Sequence, residues 1–337
     1  MAGLTSRRYE VESLNEAIEL YFRRGWTDGL PVVPPTEERV MDFLGYCGHD
    51  PEDIIGLLPE RGRAITAEKV AINAIMAEKV AINAIMAGCL PAYAPVVVAA
   101  VEALTQPAFN LHGSQNSTGG SAMMVIVNGS AVDELKFGAG INGLAPASRA
   151  NATVGRALRL VMLNVCDGRP GIFDKSTLGS PADYSFCVAE NERCVDWAPL
   201  HVERGLPADV SAVTVFAAES PHQLSDGGLH EPEPLLDRLA TAIRQAGAPS
   251  PWKGCFALVL CPEHARVVAG AGWSKRQARE YLASKVECLE APDDLLLLVA
   301  GGEAGGFSAI VPPWAPGKGS SQPVTRAVGV CVDCEPQ

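Results

Sequence analysis

Three short runs constrain the fold most: residues 212–217 (AVTVFA), 256–261 (FALVLC) and 295–300 (LLLLVA) are apolar at nearly every position. A strand with one wet face alternates polar and apolar side chains, so an unbroken apolar run of about six marks a strand buried on both faces. Between these runs lie helix-like segments, 233–245, one beginning at 263–269, and 275–284 with Ser274 as N-cap. Buried strands alternating with helices predict a parallel sheet covered on both sides, a three-layer α/β unit.

The preceding part reads differently. Helical spacing over 11–22, a helix after Thr36, and apolar periodicity over 147–165 are interrupted by Gly- and Pro-rich stretches at 25–35, 110–121, 138–146 and 167–207. The expected organisation is a helix-rich α+β domain with long loops over 1–207, then a parallel-sheet α/β domain over 208–337 with a mobile C-terminal tail. A length of 337 residues fits two domains of roughly 150 residues each.

Residues 67–76 and 77–86 both read AEKVAINAIM. Ten residues turn a helix by about 1000°, which sets the copies about 80° apart. Glu68, Lys69 and Asn73 therefore face another way from Glu78, Lys79 and Asn83, and one helix through both copies lacks a continuous polar stripe. Thr66 caps the first copy, Gly88 ends the second, and Cys89 follows. This is a local duplication, since stacked repeats need at least three units.

Charge narrows the function. With 27 basic and 39 acidic side chains the formal net charge is -12, and no dense Lys/Arg cluster exists to neutralise a phosphate backbone, so no nucleic-acid partner is expected. Residues 1–10 hold no apolar signal core, and the longest apolar stretches, near 94–101 and 295–300, fall far short of the roughly 18 residues of a membrane span. The expectation is a cytoplasmic protein with its ten cysteines reduced and no membrane partner.

If the three strands are parallel, their C-terminal ends converge. They carry Glu219-Ser220-Pro221-His222, Cys261-Pro262-Glu263-His264 and the loop Gly301-Gly302-Glu303-Ala304-Gly305-Gly306. Carboxylates and imidazoles there supply acid/base groups, and the glycines let backbone N–H groups approach a ligand. Cys89 stands before Pro91 at a helix start, whose dipole would make it a thiolate. Cys331 and Cys334 form a terminal CxxC, read as a redox tail. Arg149, Asn151 and Arg156 open a helix after a glycine-rich loop, a place that attracts anions. Cys187, Cys194 and His201 could together hold a metal, but their spacing matches no recognised ligand pattern, so no metal site is assigned. The 301–306 loop is neither a P-loop nor a Rossmann fingerprint, the chain has no GxSxG, HExxH or EF-hand pattern, and the cofactor is unknown.

The segments Trp26–Thr36 (WTDGLPVVPPT), AINAIMAGC ending at Cys89, 149–156 (RANATVGR), 189–192 (AENE), 262–265 (PEHA) and 272–275 (GWSK) together resemble an uncharacterised bacterial family, over most of the chain. The resemblance implies an association with proteins named for a UGSC motif, with selenocysteine or cysteine at its first position, and so thiol or selenol chemistry nearby. It implies no particular activity. Members of that family look to have one AINAIMAGC copy, so the duplication is a departure, as is the terminal CVDC.

The reading that follows is a thiol-dependent enzyme performing a redox, sulfur-transfer or lyase step on a small anionic or carbonyl-containing metabolite. Cys89 is its reactive thiol, and Glu190, His201 and His222 are candidate acid/base groups. Asp28, Arg149, Asn151, Glu263, His264, Gly301, Gly302, Gly305 and Gly306 are candidate substrate contacts. The competing readings are a non-catalytic metal- or ligand-binding protein and a partner subunit of a thiol/selenol protein. Homo-oligomerisation is open.

Overall fold

The computed structural model describes residues 3–58, 74–247, 253–315 and 321–329. Its longer helices are α1 (Leu14–Arg24), α2 (Glu37–Cys47), α3 (Ala77–Ala87), α4 (Ala94–Leu104), α5 (Arg149–Asn164), α6 (Pro232–Gly247), α7 (Pro262–Gly270) and α8 (Lys275–Lys285). Local chemistry sets their ends. Ser13, Thr36, Ser148 and Ser274 accept a backbone N–H at the N-termini of α1, α2, α5 and α8, and Ser274 completes a capping box with Gln277. Gly88 takes a left-handed φ of 97° to end α3.

The second copy of the duplicated decapeptide supplies α3. Of the first copy, Ala74–Met76 is strand β2, paired antiparallel with β1 (Ile54–Leu57). The same three letters, AIM, are thus strand at 74–76 and helix at 84–86. Thr66, Glu68, Lys69 and Asn73 lie outside the described residues.

Two four-stranded sheets form the centre. One runs β10-β5-β3-β4, from β3 (Ala122–Asn128), β4 (Cys187–Ala189), β5 (Ala212–Ala218) and β10 (Val324–Ala327). The other runs β6-β9-β7-β8, from β6 (His222–Ser225), β7 (Phe256–Leu260), β8 (Leu295–Val299) and β9 (Phe307–Val311). Each has one parallel pair, β3 with β4 and β7 with β8, and its other pairs are antiparallel. The expected all-parallel sheet is therefore corrected to two mixed sheets. Each parallel pair is joined through helices, as parallel strands require: α5 lies between β3 and β4, and α7 and α8 between β7 and β8.

Side-chain alternation explains the apolar runs. Met123, Val125 and Val127 of β3 join α2–α5 in one core, while Met124 and Ile126 face a second core that they share with Phe216, Val259, Leu298 and Ala309. Leu258, Leu297 and Ile310 face a third core with α6–α8. The order is helices, sheet, sheet, helices, and strands β3, β5, β7 and β8 are dry on both faces. A division at 207/208 does not separate the sheets, because β5 and β10 pair with each other and β5 with β3. The 167–207 stretch, read as loop, supplies β4 and the short helix Leu200–Glu203.

No single helix among the described residues is long and apolar enough to cross a membrane. Residues Pro91–Leu104 and Pro107–Gln115 pass that test only as a pair, bent by 69°.

Candidate functional site

The C-terminal ends of β7 and β8 lie side by side, with Leu260 opposite Val299. The chain leaves β7 through Cys261, the N-cap of α7, and leaves β8 into the 301–306 loop. The glycine-rich 138–146 segment reaches this edge from the other sheet, where the Gly301 N–H donates to the Ala139 carbonyl at 2.9 Å. These three segments, with Pro221, Gln223 and the start of β9, line an open cavity of about 330 Å³.

Cys261 and Ser308 line that cavity. The Cys261 N–H donates to Ser308 Oγ at 3.1 Å, and that hydroxyl lies 2.7 Å from His264 Nδ1 and 3.7 Å from Cys261 Sγ. His264 Nε2 sits 2.6 Å from the Asp226 carbonyl oxygen. A carbonyl only accepts, so Nε2 carries a proton and Nδ1 is the nitrogen free to gain or lose one. The spacing follows from the helix: N-cap and third helical residue meet across the first turn, which brings residue 261 to 264.

Burial pushes the Cys261 thiol up, but the hydrogen bonds from His264 and Ser308 and the imidazole charge outweigh it, and the thiol is held below its ordinary value. For His264 burial favours the neutral ring, and the bonds to Cys261 and the Asp226 carbonyl overturn this and raise it. Opposite shifts in one contacting pair favour thiolate and imidazolium together, and the N-terminus of α7 adds to the anion's stability. Burial drives Cys47, Cys89, Cys166, Cys187, Cys194 and Cys288 the other way.

Gly306 serves this geometry. A Cβ there would lie 2.8 Å from His264 Nε2 and closer still to the Asp226 carbonyl oxygen. It is a packing position and not the ligand contact expected. Gly302 and Gly305 line the cavity; Gly301 lines it too, but its N–H is taken by Ala139. Glu263 follows Cys261 in the first turn of α7.

The other expected residues serve other ends. Cys89 is buried in the helical core, and burial lifts its thiol to about 12 against smaller opposing effects of Thr153 and Arg149. The dipole-activated thiolate expected there is corrected to a neutral core thiol. Arg149 Nε and Nη2 donate to the Gly88 carbonyl at 3.0 and 2.8 Å, which ties down the end of α3. Asp28 forms a two-pronged pair with Arg156, each bond 2.8 Å, and fixes the 26–31 turn. Asn151 is buried, accepting from the Gly138 N–H and donating to the Cys187 carbonyl. None of the three is a free substrate group.

Glu190 and His201 are both buried, and neither lines the cavity. Glu190 accepts from the Leu200 N–H at 2.8 Å and from Asn128 Nδ2 at 2.7 Å, and pairs with Lys275 Nζ at 3.0 Å. Lys275 also pairs with Glu203, which pairs with Arg279. His201 Nδ1 lies 3.8 Å from Glu192 Oε1, and neither ring nitrogen has a hydrogen-bond partner among the described residues. His222 is exposed on the edge strand β6, opposite Ile310 of β9. Cys187 belongs to the helical core beside the first sheet and Cys194 packs against the core beside the second, so they do not form a loop site with His201. No group of three or more metal-ligating side chains occurs among the described residues. Cys331 and Cys334 lie outside them.

Comparison with protein-family models, curated proteins and solved structures finds no match to the chain.

The residues that sequence reasoning missed are Cys261 and Ser308. Cys261 was visible as the first letter of CPEH at a strand end, where Cys and His three apart share a helix's first turn. Ser308 had no signal, since it reaches the pair from β9 across an antiparallel ladder.

Proposed function

We propose that this chain is a thiol-dependent enzyme acting on a small metabolite in the cavity beside β7 and β8, with Cys261 in the role first expected of Cys89. The observation that carries the reading is the Cys261–Ser308–His264 cluster, of which Cys261 and Ser308 line the cavity and His264 lies behind Ser308. Nδ1 of His264 takes the thiol proton, directly or through the Ser308 hydroxyl, and the Asp226 carbonyl holds the imidazolium by its other N–H. The thiolate then attacks an electrophilic carbon or sulfur of the bound molecule, and His264 returns the proton to the group that accumulates charge. The thiol or selenol chemistry implied by the motif resemblance points the same way.

Cys261→Ser abolishes turnover in a screen of aldehydes, 2-oxo acids and thioesters, whereas Cys89→Ser, a change in the helical core, retains it. Turnover that survives in Cys261→Ser overturns the reading.

A further inference from the structure

We infer that the Cys261 cavity selects small uncharged carbonyl compounds and rejects carboxylate-bearing ones, a narrowing that rests on the thiol reading above. No Arg, Lys, His, Asp or Glu side chain is among the described residues that line it. The polar side chains it offers are the carboxamides of Asn142 and Gln223 and the hydroxyl of Ser308, beside the apolar Leu144, Val259, Ala300 and Ala309. A carboxamide donates to a neutral carbonyl as well as to anything, but it does not balance a full negative charge.

The nearby cations are already committed. Both ring nitrogens of His264 are taken, Nδ1 by the Ser308 hydroxyl and Nε2 by the Asp226 carbonyl. Arg266 pairs with Glu303. An anionic substrate would enter beside a thiolate with no cation to meet it.

For an aldehyde the covalent step closes without a further reactant. The Sγ lone pair forms the C–S bond, the C=O π pair moves to oxygen, and the proton held at His264 Nδ1 passes to that oxygen. The product is a hemithioacetal on Cys261, with thiol and aldehyde as its only sources of atoms.

The test uses the full chain and two probes of like size, neutral iodoacetamide and anionic iodoacetate, with Cys261 labelling read by peptide mass spectrometry at pH 6.5. Glutathione under the same conditions gives the intrinsic ratio. The iodoacetamide-to-iodoacetate ratio at Cys261 should exceed that of glutathione by about tenfold or more, and Asn142→Lys should lower it. A ratio at or below that of glutathione, with Cys261 still the fastest-labelled cysteine, overturns the charge selection and leaves the thiol reading standing. Cys261 slower than glutathione with both probes overturns the thiol reading and this inference together.

Discussion

At the scale of single residues, two thiols and one carboxyl group show how contacts decide chemistry against burial. Cys89 and Cys261 are both buried cysteines near helix starts, and each has a hydroxyl on its sulfur, but Cys261 has an imidazole as well. Replacing His264 with Gln removes the proton acceptor and lets burial act alone, so the Cys261 alkylation rate at pH 6.5 should fall by about tenfold or more, one pKa unit being a factor of ten. Rates unchanged in His264→Gln would detach the histidine from the thiol. Glu78 is a second case. Burial opposes its charge, but bonds from Thr5 N, Thr5 Oγ1 and Ser6 N hold it at about 2, below the ordinary 4.5. With the folded value lower than the unfolded one, its contribution is complete above about 4.5 and is lost as pH falls towards 2. The urea midpoint of the wild type should therefore drop from pH 5 to pH 2.5 by more than that of Glu78→Gln, and equal drops would count against the anchor.

At the scale of elements, the duplication gives the clearest expectation. α3 begins after Met76, which makes no side-chain cap. Residues 64–66 read Ala-Ile-Thr, and 74–76, which form β2, read Ala-Ile-Met. A chain lacking residues 67–76 would keep Ala-Ile to pair with β1 and would place Thr66 at the N-cap of α3. That cap stabilises by about 1 kcal/mol, so the urea midpoint should rise; a lowered midpoint would show that the first copy contributes more than the cap. Gly306→Ala presses on Asp226 and His264, and is expected to cost about 1–3 kcal/mol and to slow Cys261 alkylation as His264→Gln does. Much at this scale was legible. Thr36, Ser274 and Gly88 marked helix ends because capping is local, and the three apolar runs marked β5, β7 and β8. What was hidden depends on partners distant in sequence. Strand direction was misread because an apolar run reports two dry faces and does not report whether helices or a second sheet cover them. β4, at three residues, is too short to show a period within a Gly- and Pro-rich stretch. The CPEH motif was in view, but Ser308 and the Asp226 carbonyl, which make it a site, arrive from β9 and from the chain after β6.

At the scale of the molecule, the two sheets and their helix layers are tied together by a buried charge network. Lys275 of α8, from the outer layer of the second sheet, reaches Glu190 at the end of β4 in the first, and also Glu203. Both Lys275 and Glu190 are almost wholly buried. Lys275→Met leaves Glu190 without its cation and Glu203 with Arg279 alone, and should cost about 3–5 kcal/mol, with part recovered in the double variant Lys275→Met/Glu190→Gln; additive losses in urea denaturation would deny the coupling. The same arrangement brings the 138–146 segment of one sheet against the strand ends of the other and so forms the cavity at Cys261. The central claim is that the reactive thiol sits there and not at Cys89. Thiol alkylation of the native chain, mapped by mass spectrometry from pH 5 to pH 10, tests it most directly. Cys261 should reach half-labelling at the lowest pH of the described cysteines, with Cys89 unlabelled until far more alkaline conditions. Cys89 labelling first, or Cys261 titrating no lower than an ordinary thiol, would contradict the account.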